Sequence, residues 1–303
     1  MADKIDIIGP TSHYFYSQRL KLHYVDWGNA DKPLAVLVHG GRDHCRNWDW
    51  VAVALRGQFH LVAPDLRGHG DSDWAIGGSY SMIDYVLDLC QLMEALGGKE
   101  VVLIGHSLGG AIVLQRAGVF PNSIRAVVAI EGVGPPPSMI QQTPAHERMA
   151  RWIGEMQGLA RRKPRDYRTL DEALERMREV NPRLSVEQAR HLTVQGVRRN
   201  ENGTFSWKFD NYTRASSPYL FNLKDAMEIW SQIRCPCLLV RGDESVWGSG
   251  WESDGRLGGF RNAEVVTVKN AGHWVHHDQL ERFLAEVRGF LGLDGDRALS
   301  PGK

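Results

Sequence analysis

Cysteine, net charge and long apolar runs are all scarce in this chain. Its 303 residues include four cysteines, and its 36 basic side chains balance its 36 acidic ones. Balanced charge gives no overall attraction to nucleic acid or to a membrane surface. No apolar run approaches the length that spans a bilayer, and residues 1–6 lack the apolar segment of a secretion signal. We therefore expect a cytoplasmic protein with no nucleic-acid partner and no membrane insertion.

The cysteines do not form a recognisable metal or redox motif. Cys235 and Cys237 are separated by a single proline, and Cys45 and Cys90 lie far from them in the chain. This spacing matches neither a zinc site nor a redox Cys-x-x-Cys pair. We expect reduced thiols, mostly buried, as is usual inside cells.

Strand and helix patterns alternate through the first third of the chain. Continuous apolar runs predict strands that are buried on both faces of a parallel sheet, and apolar stripes between them predict helices. This alternation indicates an α/β fold, with a mostly parallel central sheet flanked by helices on both faces. The predicted strands cover residues 20–25, 34–38, 60–63, 101–104 and 126–130, and the predicted helices cover residues 48–55 and 81–96.

The pattern changes at the proline-rich residues 134–137. Three amphipathic, arginine-rich segments follow, which predict an inserted helical unit over residues 135–233. The core then comprises residues 1–134 and 234–303. The arginines indicate either a solvated helical face or a site for an anionic group. The predicted helices of the insert cover residues 146–162, 170–180 and 186–197, and the core resumes with strands 237–240 and 264–268, helix 278–290 and a frayed tail after 294.

The stretch Gly105-His106-Ser107-Leu108-Gly109-Gly110 carries the strongest chemical signal. A predicted strand precedes it and a helix-like segment follows it, so Ser107 occupies a sharp turn that exposes its hydroxyl. The glycines leave room for that turn. The helix that starts after Ser107 directs free N–H groups at charge that develops beside it. Ser107 is therefore the candidate nucleophile.

Three further motifs follow the ends of predicted strands. They are His39-Gly40-Gly41-Arg42, residues 65–72, and Asn270-Ala271-Gly272-His273-Trp274. With the serine turn, they resemble the α/β-hydrolase family over nearly the whole chain. The resemblance implies that the inserted segment is a cap over the active site. It gives the loop 65–72 a structural role, which includes contact between Arg67 and a carboxylate.

The resemblance makes His273 the candidate general base and acid. Five other histidines are possible alternatives for this role. We expect His39 to orient its loop and His106 to support the serine turn, whereas His69 has no assigned role. We expect His276 and His277 to lie at the surface, at the start of the last helix.

The acid that orients the histidine has two candidates. The position at which the family usually carries its aspartate holds Ser245, and Asp243 is near it but out of register. Glu131 instead follows a buried strand, where some relatives of this fold carry the acid. An unpaired carboxylate there would be costly. We predict Glu131 as the acid, with Asp243 as the alternative; capping of the turn or pairing with an arginine is the structural interpretation of Glu131.

By the same resemblance, the oxyanion hole uses the backbone N–H groups of Gly41 and Leu108. Arg42, next to Gly41, either adds charge near the pocket or forms a surface ion pair.

A serine nucleophile favours acyl transfer over epoxide opening or halide displacement, which use aspartate at this position in related proteins. We predict a serine esterase that cleaves a small or medium carboxylic ester without a metal or cofactor. The aromatic residues Trp207, Phe209, Tyr212 and Tyr219 indicate an apolar pocket or packing of the cap. Hydrolysis of a lactone, a thioester or a carbon–carbon bond would use the same residues. A small-molecule receptor with little turnover is the alternative outside the enzymes.

Overall fold

The computed structural model describes residues 9–294 except positions 79, 141, 142, 216 and 220. The predictions for residues 1–6 and for the tail after 294 fall outside the described residues. Among the described residues, no helix combines the length and the apolar character needed to cross a bilayer. All four cysteines are free thiols, and Cys90 is the one that is not buried.

Eight strands form one sheet in the order β1-β2-β4-β3-β5-β6-β9-β10. β1 and β2 pair antiparallel, as do β2 and β4, and the remaining neighbours are parallel. β1 was not predicted from the sequence. The strands are β1 (Thr11–Ser17), β2 (Leu20–Asp26), β3 (Leu34–Val38), β4 (His60–Pro64), β5 (Val101–His106), β6 (Ile124–Ile130), β9 (Cys237–Gly242) and β10 (Ala263–Val268).

Helices cover both faces of this sheet. Alternate residues of a strand point to opposite faces. Val36 therefore packs in a core with α2, α3 and α7, while Leu37 packs in a second core with α1 and α9. The five residues of β3 are all buried, which is why they form a continuous apolar run. The helices are α1 (Asp49–Leu55), α2 (Met82–Ala95), α3 (Leu108–Val119), α7 (Leu223–Trp230), α8 (Val275–Asp278) and α9 (Leu280–Phe290).

The segment between β6 and β9 contains three helices close to the predicted bounds, α4 (Ala145–Arg161), α5 (Leu170–Val180) and α6 (Val186–Gly196). It also contains an antiparallel hairpin that the sequence did not predict, β7 (Val197–Arg199) and β8 (Phe205–Trp207). The limits 135–233 of the inserted unit remain a prediction. Within them, Ala226 and Trp230 of α7 pack in the core of the sheet.

The loop after β4 has the structural role that was expected. Arg67 donates two hydrogen bonds of 2.6 Å to the carboxylate of Asp88 in α2. Asp65 accepts hydrogen bonds from the backbone N–H groups of Cys45 and Asp71. These contacts fasten the loop to its neighbours at the end of the sheet where β3, β5 and β6 also finish.

Candidate active site

Ser107 lies at the carboxyl end of β5 in a strained conformation, with φ 51° and ψ −114°. The left-handed φ is unfavourable for a residue with a side chain, so surrounding contacts must hold it. The Ser107 N–H donates to the carbonyl of Ile130 at 2.8 Å. The close approach of the chain requires glycine on both sides: a Cβ on Gly105 would lie 2.4 Å from the carbonyl oxygen of Gly109, and a Cβ on Gly109 would lie 2.1 Å from that of Val38.

The loop after β3 lies against this turn. A Cβ on Gly40 would lie 3.3 Å from the Ser107 Cβ, and one on Gly41 would lie 3.9 Å from Leu108 Cδ2. The N–H groups of Gly41 and Leu108 make no backbone hydrogen bond to another described residue. An oxyanion hole requires two N–H donors near the serine hydroxyl that are not already hydrogen-bonded. The assignment of this role stays a prediction.

His273 and Glu131 come together in the structure. His273 follows β10, and its Nδ1 is 3.6 Å from the Glu131 Oε2 atom. That separation exceeds a hydrogen bond, but such contacts are often long before substrate binds. The His273 side chain is 30% exposed and the Glu131 side chain is fully buried. This arrangement can orient the imidazole and stabilise its protonated form.

Glu131 is held by two donors, one at the end of β9 and one in the segment that follows it. Its Oε1 accepts from the Gly242 N–H at 2.8 Å, and its Oε2 accepts from the Ser245 hydroxyl at 2.8 Å. Glu131 itself has a left-handed φ of 54°. A Cβ on Gly248 would lie 2.7 Å from Glu131 Oε1, so the backbone there closes over the carboxylate. These contacts satisfy a buried charge that would otherwise be costly.

Asp243, the alternative acid, faces other groups. Its Oδ1 accepts weakly from the Ala271 N–H at 3.4 Å, and its Oδ2 lies 3.8 Å from Lys269 Nζ. Asp278 was not predicted from the sequence; its Oδ2 accepts from the Gly272 N–H at 2.7 Å and so fixes the loop that carries His273. The role of Ser245 as a partner of Glu131 was not predicted either. The signal in the sequence was a serine, Ser245, at the position where the family usually carries its acid.

His106 and His39 support the site as neutral rings. The His106 Nε2–H donates to the carbonyl of His273 at 2.9 Å. Burial and the neighbouring His273 lower the pKa of His106 well below its usual value. His39 donates from Nδ1 to the Gly40 carbonyl at 2.6 Å and accepts at Nε2 from the Leu66 N–H at 3.0 Å. Burial lowers its pKa to about 3. His39 therefore orients its loop as predicted, whereas His106 contacts the loop that carries His273, and its support of the serine turn stays a prediction.

The surface placement predicted for His276 and His277 is wrong, because both are buried in α8. His276 stacks on Trp48, with ring centroids 4.7 Å apart, and its Nε2 lies 2.6 Å from the Asn47 side-chain oxygen. His277 packs edge-on against Trp50 at 5.5 Å. Burial lowers the pKa of His277 to about 3. These rings fill space between α8 and the start of α1.

An open cavity of about 690 Å³ adjoins the serine turn and is lined by Ser107, Leu108 and His273. Gly41 and Arg42 also line it. Its volume is typical of small-molecule sites. Trp207 and Phe209 are among its lining residues, as the apolar-pocket interpretation predicted, whereas Tyr212 and Tyr219 are not, and Tyr219 is 72% exposed.

Known proteins resemble this chain over nearly its whole length. The model of the alpha/beta hydrolase family matches residues 35–286. An esterase of Mycobacterium tuberculosis is 26% identical, over 96% of this chain and 93% of the relative. A serine hydrolase-like protein of Danio rerio is 25% identical, over 88% of this chain and 83% of the relative. A hypothetical protein of Pseudomonas aeruginosa superposes with a TM-score of 0.82 at 24% identity, covering 94% and 99% of the two chains. These findings confirm the predicted fold.

Proposed function

Because this chain belongs to the alpha/beta hydrolase family, we propose that it is a serine hydrolase that cleaves a small or medium carboxylic ester. Ser107 is the nucleophile, His273 the general base and acid, and Glu131 the acid that orients His273. The observation that carries this proposal is the 3.6 Å separation between His273 Nδ1 and Glu131 Oε2, beside a cavity that Ser107 and His273 line.

In the first half of the reaction, His273 accepts the hydroxyl proton of Ser107 as the oxygen attacks the ester carbonyl. Negative charge develops on the carbonyl oxygen, and the N–H groups of Gly41 and Leu108 donate to it. The buried Glu131 carboxylate stabilises the imidazolium. His273 then protonates the departing alkoxide, which leaves as an alcohol, and the acyl group remains on Ser107.

In the second half, His273 takes a proton from water, and the resulting hydroxide attacks the acyl-enzyme. The same N–H groups stabilise the second tetrahedral intermediate. When it collapses, Ser107 recovers its proton from His273 and the carboxylic acid is released. The esterase and serine hydrolase relatives support this class of reaction.

Labelling with a fluorophosphonate probe and hydrolysis of 4-nitrophenyl esters test the proposal together. We expect the probe to label Ser107, as identified by peptide mass spectrometry. Ser107→Ala should abolish labelling and lower kcat/KM by about 10³-fold or more. Ser249→Ala is the matched control, because the Ser249 hydroxyl donates to the Val246 carbonyl at an exposed site outside the cavity.

Undiminished hydrolysis by Ser107→Ala would overturn the mechanism. Tight binding of a small molecule with negligible turnover of every ester would instead support the receptor alternative. Comparing 4-nitrophenyl acetate, butanoate and octanoate then measures how the cavity limits acyl length.

A further inference from the structure

Six cationic side chains line the cavity, although the chain as a whole carries no net charge. Asp43 is the one acidic side chain that lines it among the described residues. Burial raises the pKa of Asp43 to about 8, so this carboxyl is neutral at pH 7. The cavity therefore concentrates positive charge that no ionised acidic group inside it offsets. The cations are Arg42, Arg165, Arg176, Arg198, Lys208 and Arg214.

Two of these cations already have partners. Arg176 pairs with Glu179 at 3.0 Å and Lys208 pairs with Asp71 at 2.9 Å. The other four have no carboxylate within 4 Å among the residues that the structure describes. We call this set the arginine wall, which consists of Arg42, Arg165, Arg198 and Arg214.

Aromatic rings hold three guanidinium groups of the arginine wall. Arg165 lies over Tyr167 at 5.0 Å, Arg198 over Trp74 at 4.8 Å and Arg214 over Phe209 at 5.2 Å, measured from guanidinium carbon to ring centroid. Stacking restricts the plane of a guanidinium group while it leaves the N–H edge available for a carboxylate or phosphate. A wholly solvated arginine needs no such support.

Two members of the arginine wall, Arg42 and Arg214, also repel each other. The pKa of Arg214 is lowered, first by burial and then by the charge of Arg42. Its one side-chain hydrogen bond to a described residue is a long one, 3.4 Å from Nε to the Asn211 side-chain oxygen. Like charges that line one cavity repel each other, and an anion bound among them would relieve that repulsion.

We propose, on the basis of the proposed esterase function, that the substrate carries an oxyanion remote from its scissile carbonyl and that the arginine wall binds it. The Ser107 end of the cavity would hold the ester, and the wall would hold a carboxylate or phosphate group of the same molecule. The wall thus sets specificity, and it adds nothing to the bond-breaking steps.

Pairs of esters with equal carbon number test the preference. On the acyl side, mono-(4-nitrophenyl) adipate is compared with 4-nitrophenyl hexanoate. On the alcohol side, 6-acetoxyhexanoate is compared with hexyl acetate. We expect kcat/KM to favour the anionic member of at least one pair by about tenfold or more, mainly through KM. The preference should weaken as NaCl rises from about 0.05 M to about 0.5 M, because salt screens exposed charges.

Neighbouring arginines on β7 provide a matched pair of variants. Arg198 lines the cavity, whereas Arg199 is exposed and does not. Successive side chains of a strand point to opposite sides. Arg198→Gln should lower the anionic-to-neutral ratio of kcat/KM by about fivefold, and Arg199→Gln should leave that ratio unchanged within about twofold. Arg214→Gln should act like Arg198→Gln.

Binding of simple anions separates this inference from the proposed function. Adipate, and separately inorganic phosphate, should raise the thermal midpoint of the wild-type protein more than that of Arg198→Gln; the larger shift identifies the anion that is preferred. Ester hydrolysis without any anionic preference would overturn the inference and leave the proposed function standing. Absence of ester hydrolysis, together with an adipate shift that Arg198→Gln removes, would overturn the proposed function and support the anion site.

Discussion

The floor of the cavity, by which we mean Ser107, His273 and the Glu131 carboxylate that contacts His273, uses polar groups in the opposite way to the arginine wall. At the floor, the Glu131 carboxylate is buried and its oxygens accept two short hydrogen bonds, so its position is fixed by its neighbours. Along the wall, Arg198 and Arg214 each donate one long side-chain hydrogen bond to a described residue, and their other N–H groups donate to no side chain among the described residues. Groups that act on reacting atoms need fixed geometry. Groups that select a substrate by charge need free donors. We infer that the floor sets the reaction and the wall sets its specificity.

After loss of the nucleophile itself, the largest effect should come from removing the charge at the floor. Glu131→Gln should lower kcat/KM by about 10³-fold, because a neutral amide neither stabilises the imidazolium of His273 nor holds its orientation. Asp243→Asn is the matched control and should change kcat/KM by less than about threefold, since Asp243 contacts Ala271 and Lys269 instead. Steady-state kinetics with a 4-nitrophenyl ester measures both. The reverse order of losses would make Asp243 the acid.

A smaller effect is expected from Ser245, which donates to Glu131 Oε2 at 2.8 Å. Ser245→Ala should lower kcat about tenfold with little change in KM, because the carboxylate loses one of the donors that position it. A positioning role also predicts that the acid side of the pH profile of kcat/KM moves and that Ser245→Thr restores activity. If the alanine variant loses stability in urea but keeps its pH profile, the role of Ser245 is structural only.

Much of the floor was predictable, because its residues follow strands whose buried apolar runs are plain in the sequence. Ser107 lies between a predicted strand and a predicted helix, with glycines on both sides of it. Glu131 follows a buried apolar strand, where a carboxylate needs a partner. The contact between Ser245 and Glu131 was not predictable, since it depends on how the segment after β9 packs against the end of β6. The burial of His276 and His277 was also missed, because two adjacent polar residues in a four-residue helix give no periodic pattern.

The arginine wall could not have been located from sequence, for a different reason. Arg42 follows β3, Arg165 lies in a loop, Arg198 is in β7 and Arg214 follows the hairpin. The chain contains many other arginines with the same local pattern. Only tertiary packing brings these four to one cavity, and the hairpin that carries Arg198 was itself not predicted. From sequence alone, the arginines of the insert therefore indicated either a solvated face or an anion site.

The last effect is on stability instead of turnover, and it concerns Asp43, whose ionisation would offset the charge of the wall. Its pKa is about 8 in the folded protein because of burial, against 3.8 for the ordinary group. Between these values the unfolded chain loses this proton while the folded chain keeps it, so the free energy of unfolding falls as pH rises. Asp43→Asn removes this dependence and retains an acceptor for the His44 N–H. Urea unfolding should therefore show the variant gaining about 3–4 kcal/mol relative to wild type between about pH 5 and about pH 8. A constant difference would mean that Asp43 is ionised throughout this range, and the cavity would then contain a counter-charge that weakens the contrast between floor and wall.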